Sequence, residues 1–219
     1  MRIGPSLLAA DPLALREEVA RVAEADFLHV DIFGGDFVAG ATWGPHTLRA
    51  LTAESALPVE AHLMAADLDW WVDAASDAGC DRVVFHVEAT ERPRDLADRI
   101  RERGSSPGIA VSPGTPIERL TALAGGVDLV LVMGVEPGRG GTGMLPGTAD
   151  RVRRAASLVA REPREVVVGV DGSVSADNLA DLVAAGARSA VVGTHLFAGR
   201  DPSARLSALR EIAAAPSAP

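Results

Sequence analysis

Residues 166–194 read VVVGVDGSVSADNLADLVAAGARSAVVGT. Two almost wholly apolar runs, 166–170 and 190–193, flank a segment entered from Ser175 and left at Gly186. Apolar runs of this kind suit parallel strands covered on both faces. Serine is a good helix N-cap and glycine a good helix terminator, so 176–185 is expected to be a helix. The stretch is one strand–helix–strand unit, and the same grammar runs along the chain. Further strands are expected over 3–6, 27–32, 59–64, 82–87, 108–111 and 129–133. A helix is expected over 12–25, with Asp11 as N-cap and Pro12 in the first turn. The phrase AAGAR at 184–188 echoes DAGCD at 77–81, each a helix exit leading into a strand. Eight strands alternating with roughly eight helices predict a (β/α)8 TIM barrel. It occupies a single domain over 1–214, with 215–219 a frayed tail. An open doubly wound sheet is the alternative, but no G-x-G-x-x-G follows the first strand.

Composition narrows the chemistry. The chain has 219 residues, 21 basic against 30 acidic, a net charge of −9 and 47% apolar residues. An acidic chain is a poor partner for nucleic acid or an anionic membrane, and no apolar run is long enough to cross a bilayer. Cys80 is the single cysteine, which excludes an internal disulfide framework and fits a reducing compartment. The opening MRIGPSLLAAD lacks the basic and apolar regions of a secretory signal, so the expected location is the cytoplasm. Every basic residue is arginine. Without lysine there is no Schiff-base nucleophile and no P-loop lysine. Carbonyl chemistry would have to run through carboxylates, histidines or a metal.

In such a barrel, function collects where strands end. The second strand ends H-V-D, and side-chain alternation sends His29 and Asp31 to the same side. His62 stands at the exit of the third strand and Asp171 at the exit of the seventh. Two His and two Asp on one rim could form an N2O2 site for Zn²⁺, Mn²⁺ or Fe²⁺. Each one alone reads equally as a loop hydrogen-bonding residue. Glycine-rich segments follow three neighbouring strands: EPGRGGT at 136–142, DGS at 171–173 and GT at 193–194. Their backbone N–H groups could cradle a phosphate, as loops after the last strands of barrels commonly do. Arg139 either assists the anion or is a solvated loop residue. Phe33, Met64 and Met133 sit at strand exits, either as core filler or as an apolar lining that excludes water. His86 reads as a structural hydrogen-bonding residue, His46 and His195 as surface residues, and Trp70 and Trp71 as helix packing.

With these residues in place, the chain resembles the ribulose-phosphate 3-epimerase family over nearly its whole length. The matching segments are IGPSLLAAD, LHVDIFGGDFV, HLM, FHVEA, LVMGVEPGRGG and VDGS. The resemblance implies one divalent metal ion, Zn²⁺ first with Fe²⁺ or Mn²⁺ as alternatives. It implies His29, Asp31, His62 and Asp171 as ligands and Asp31 and Asp171 as the acid–base pair. Ser6 matches a substrate-contacting serine, with His62, Phe33, Met64 and Met133 also facing substrate. Gly140, Gly141, Gly172, Ser173, Gly193 and Thr194 match phosphate-binding loops. The partner implied is a sugar phosphate, and the family commonly forms homo-oligomers.

The activity implied is inversion of C3 of a ketose phosphate, D-ribulose 5-phosphate to D-xylulose 5-phosphate, through an enediolate. The chain departs from the family pattern at Phe33, Gly34, Asp36, Ala39, Gly40, Thr142 and Ser173, none of them a ligand or acid–base residue. These changes fall around the substrate pocket. They keep open an epimerase acting on another ketose phosphate, such as allulose 6-phosphate or a tetrulose phosphate. A non-catalytic sugar-phosphate-binding descendant is a further alternative. A decarboxylase of the same barrel superfamily would need an Asp-x-Lys-x-x-Asp motif, which a lysine-free chain cannot carry.

Overall fold

The computed structural model describes residues 1–35, 37–199 and 201–215. Asp36, one of the departures above, and residues 216–219 of the expected tail lie outside the described residues. Eight strands appear where the apolar runs placed them, with ends shifted by up to two residues: β1 Arg2–Pro5, β2 Leu28–Gly34, β3 Val59–Ala65, β4 Arg82–His86, β5 Ser106–Val111, β6 Leu129–Met133, β7 Val167–Asp171 and β8 Ser189–Val192. All neighbours pair in parallel in the order β1-β8-β7-β6-β5-β4-β3-β2. A parallel bridge between Ser6 and His29 brings the two ends of that sheet together. The result is the TIM barrel.

The two-residue period of a strand divides the side chains between two compartments. Outward-facing Val30, Ile32, Leu63, Phe85 and Val168 join the large core shared with the helices. Those helices are α1 Leu15–Arg21, α2 Pro45–Glu54, α3 Leu68–Asp77, α4 Pro93–Glu102, α5 Thr148–Val159, α6 Ala176–Ala184, α7 Thr194–Phe197 and α8 Pro202–Ala214. Each fully buried Val, Leu or Ile there contributes on the order of 1.5–3 kcal/mol. The alternate residues face the barrel axis, where Phe27, Val84, Leu129, Leu131, Met133 and Val191 form a second, smaller cluster. Gly4 makes room for this plug: a Cβ there would lie 2.2 Å from the Phe27 ring. Above the plug the inward positions turn polar.

Three local expectations are corrected. The first helix is Leu15–Arg21, shorter than 12–25 at both ends; at its start the Asp11 carboxylate accepts from the Leu13 N–H at 2.9 Å and caps a tight turn instead. The connection from β5 to β6 carries short 3₁₀ turns at Ile117–Leu120 and Ala124–Gly126 in place of an α-helix. Pro113, Gly114, Pro116, Gly125 and Gly126 break that segment. Trp70 is not in the core. It is 52% exposed and meets the Trp71 ring in a T-shaped contact, at 4.7 Å between centroids. The capping box at Ser175 and Asn178 starts α6 as the sequence suggests.

Candidate active site

The register of β2 against β3 sets His29 beside Glu60, Asp31 beside His62 and Phe33 beside Met64, all on the inward face. β7 brings Asp171 to the same level, next to Met133 of β6. One ligand-type atom from each of His29, Asp31, His62 and Asp171 lies within 4.8 Å of all the others. His29 Nε2 is 3.2 Å from Asp31 Oδ1, 3.3 Å from His62 Nδ1 and 3.7 Å from Asp171 Oδ2. His62 Nδ1 is 3.1 Å from Asp31 Oδ1 and 3.5 Å from Asp171 Oδ2. A tetrahedral ion with bonds of about 2.0–2.1 Å would hold its donors about 3.3–3.4 Å apart. The five separations bracket that figure, and two imidazoles with two carboxylates make a donor set that Zn²⁺, Fe²⁺ or Mn²⁺ accepts. The cluster fits a divalent cation.

Its surroundings fix each donor. Both imidazoles are fully buried. His29 Nδ1 lies 2.8 Å from Glu60 Oε1, and a carboxylate only accepts. The proton therefore sits on Nδ1, and Nε2 is the atom turned to the cluster. Glu60 Oε2 in turn accepts from Arg82 at 3.0 Å. Ser6 Oγ donates to Asp31 Oδ2 at 2.7 Å, leaving Oδ1 for the histidines. Burial works against charge on Asp31, yet the adjacent His29 and His62 pull its pKa far below the usual carboxylate range. Burial likewise opposes charge on His29, but Asp31, Glu60 and Asp171 together hold its pKa well above the ordinary value. His62 is shifted the same way by Asp171 and Asp31. Buried Asp31 and Glu60, with half-buried Asp171, call for positive charge, and without a metal protons on the imidazoles supply it.

Above the cluster opens a cavity of about 420 Å³. Asp31 and Asp171 both reach it, with Ser6, Phe33, Met64 and Met133 on the walls. Gly140, Gly141, Gly172, Ser173, Gly193 and Thr194 form its glycine-rich side. His29 and His62 lie beneath, out of contact with the opening. The residues that the resemblance implies for metal, substrate and phosphate all lie in this cavity or directly under it. Arg139 is exposed in the loop after β6 and is not among the described lining residues.

The model of the family described as "Ribulose-phosphate 3 epimerase family" matches residues 2–197. The chain is 39% identical to ribulose-phosphate 3-epimerase of Mycobacterium leprae, covering 98% of this chain and 96% of that protein. It is 34% identical to the enzyme of that name from Methanocaldococcus jannaschii, over 97% of this chain and 91% of the relative. The chain belongs to the ribulose-phosphate 3-epimerase family. That family consists of epimerases, isomerases acting on carbohydrate phosphates, and this places the chain among them. Two solved structures share the fold alone. One is a 3-hexulose-6-phosphate synthase, with 21% identity and a TM-score of 0.71 over 98% of this chain and 100% of that one. The other is the orotidine 5'-phosphate decarboxylase of Pyrococcus horikoshii OT3, with 15% identity and a TM-score of 0.73 over the same shares.

Two departures from the family pattern have physical explanations. At Gly34 a Cβ would come within 2.9 Å of Ala65 Cβ and 3.0 Å of Trp71 Nε1, so Trp71 fills the space a side chain there would need. Ser173 holds a left-handed backbone, φ 54°, the conformation that favours glycine. Its hydroxyl accepts the Gly143 N–H at 3.2 Å and ties the loop after β7 to the loop after β6. Thr142 Oγ1 donates to its own loop, to the Arg139 carbonyl at 2.8 Å.

Three features escaped the sequence reading. Glu60 and Arg82 are visible as charged residues interrupting apolar strands, but pairing Glu60 with His29 requires the cross-strand register. His86, read only as a hydrogen-bonding residue, is fully buried with Nε2 3.0 Å from His62 Nε2. His195 is half-buried and lines the cavity beside Thr194, whereas His46 is exposed as expected.

Proposed function

We propose that this protein is a metal-dependent epimerase that inverts C3 of a ketose phosphate, D-ribulose 5-phosphate to D-xylulose 5-phosphate. The observation that carries the reading is the arrival of Asp31 and Asp171, from β2 and β7, at one cavity over a four-donor cluster. His29, Asp31, His62 and Asp171 would hold one divalent cation, with Zn²⁺ the first choice and Fe²⁺ or Mn²⁺ accepted by the same donors. When bound, the ion supplies Lewis acidity that offsets negative charge developing on the substrate's oxygens.

The side chains do the rest. Asp31 takes the C3 proton, and the electron pair moves into the adjacent carbonyl to give the enediolate. Asp171 returns a proton to C3 from the other face, and the roles exchange in the reverse direction. Ser6 holds Asp31 Oδ2 and keeps the carboxylate from turning. Phe33, Met64 and Met133 exclude water from the charged intermediate. Backbone N–H groups around Gly140, Gly141, Gly172, Ser173, Gly193 and Thr194 receive the phosphate.

The substitutions at Phe33 and Ser173, both in the cavity wall, favour one second reading: the same reaction on allulose 6-phosphate or a tetrulose phosphate. Assaying pentulose, hexulose and tetrulose phosphates with added Zn²⁺, Mn²⁺ or Fe²⁺ decides it. Fastest turnover of ribulose 5-phosphate is expected; a hexulose or tetrulose phosphate turned over faster would transfer the assignment. No helix among the described residues is long and apolar enough to cross a membrane. Cytoplasmic residence and homo-oligomer formation complete the reading, the latter open to light scattering.

A further inference from the structure

Behind His62 runs a chain of polar groups, buried at His86 and half-buried at Glu88, that the reaction itself does not use. His62 Nδ1 faces the cluster, so its other nitrogen, Nε2, faces His86 Nε2 at 3.0 Å. The two rings lie within 18° of parallel. Of two imidazole nitrogens at this distance, one donates and the other accepts. The far side of His86 settles which. His86 Nδ1 is 3.1 Å from Glu88 Oε2, and a bare nitrogen against a carboxylate oxygen would set lone pair against lone pair. Glu88 is anchored in turn, since its Oε1 accepts the Ser112 N–H at 2.9 Å. Burial disfavours charge on Glu88, yet bonds from His86, Thr115 and Ser112 bring its pKa down to about 2, so it acts as an acceptor. The Ser112 hydroxyl, 3.2 Å from the same His86 nitrogen, can serve in either sense and decides nothing. Phe37 covers His86, with ring centroids 4.9 Å apart.

We propose that Glu88 and His86 form a relay that fixes the tautomer of His62, holding its proton on Nε2 and presenting Nδ1 to the cation. The inference rests on the reading of the four-residue cluster as a divalent-metal site. Glu88 keeps the His86 proton on Nδ1, His86 Nε2 then accepts from His62 Nε2–H, and His62 Nδ1 keeps its lone pair for the ion. Both residues are positioning residues. The partner histidine, His29, has its tautomer set by Glu60 directly, so the two ligands are oriented by different devices.

Glu88→Gln tests the relay at constant shape. The Ser112 N–H still needs the side-chain oxygen, so the amide NH₂ is turned toward His86 Nδ1. His86 would then carry its proton on Nε2 and force His62 into the wrong tautomer. Zn²⁺ affinity, read by competition with a chelating dye, is expected to fall about 10–100-fold. ¹⁵N spectra of the histidine rings should show His86 protonated on Nδ1 in the wild type and on Nε2 in the variant. Ser112→Ala should leave both readouts unchanged. Wild-type affinity in a folded Glu88→Gln chain would overturn the proposal. So would a wild-type spectrum with the His86 proton on Nε2, a result that needs no variant to fold. A wild-type chain that takes up no divalent ion would instead overturn the reading of the cluster, while the nitrogen spectrum still decides the tautomers.

Discussion

The floor and the rim of the cavity are built on opposite principles. On the floor, His29, Asp31 and His62 are buried side chains on paired strands, each bonded to a partner that fixes its donor atom. On the rim, the surfaces are mostly backbone: Gly140 and Gly141 are exposed in a loop, and Gly172, Ser173 and Gly193 follow strand ends. A floor of this kind tolerates almost no change in residue type, because a removed partner leaves a buried polar group unpaired. A rim of N–H groups tolerates side-chain change wherever the backbone can keep its path. Among the described residues the departures from the family pattern are Phe33, Gly34, Ala39, Gly40, Thr142 and Ser173; none is a floor ligand, and Phe33 and Ser173 line the cavity.

The largest effect should come from breaking the floor. Asp31→Asn and Asp171→Asn are each expected to lower kcat by about 10²–10⁴ and to stop exchange of the C3 hydrogen with solvent deuterium. The fold should persist by circular dichroism; full exchange in both variants would erase the distinction between floor and rim. Glu60→Gln should weaken metal binding by roughly 10–100-fold, measured by chelator competition, without a comparable change in KM for enzyme saturated with metal.

The same region should respond to pH. In the metal-free chain the folded pKa of His29 is raised above its unfolded value, so its proton stabilises the fold below about pH 6.5. That contribution is lost as pH rises through the higher folded value. A metal must displace the proton, so its apparent affinity should climb with pH across this window. Affinity independent of pH would argue against imidazole ligands.

On the rim the backbone matters more than the side chain. Gly172 has φ 108°, and a Cβ there would lie 2.8 Å from Val135 N, so Gly172→Ala should raise KM for the phosphorylated substrate and lower Tm. Ser173→Gly should do least. It relieves roughly 1 kcal/mol of left-handed strain and gives up the bond from Gly143, leaving kcat unchanged and Tm nearly so.

The sequence made the barrel readable because apolar runs and helix ends are local signals. Ser175 and Gly186 needed no tertiary contact to mark α6, and the eight strands followed from the same pattern. Asp11 misled because one carboxylate can cap either a helix or a turn, and only Leu13, 96% exposed, shows which occurred. Trp70 misled because aromatic character says nothing about which face of α3 is covered. The four cluster residues were legible as strand-end His and Asp, but their supports were not. Glu60 belongs to His29 through the β2–β3 register, and His86 meets His62 from a neighbouring strand. Both are long-range pairings without a local signature.

The most direct test of the central claim is the anomalous scattering map of crystals grown with Zn²⁺. A single ion is expected at about 2.0–2.2 Å from His29 Nε2, His62 Nδ1 and one oxygen each of Asp31 and Asp171. An ion held elsewhere, or none at these four side chains in an active crystal, would contradict it.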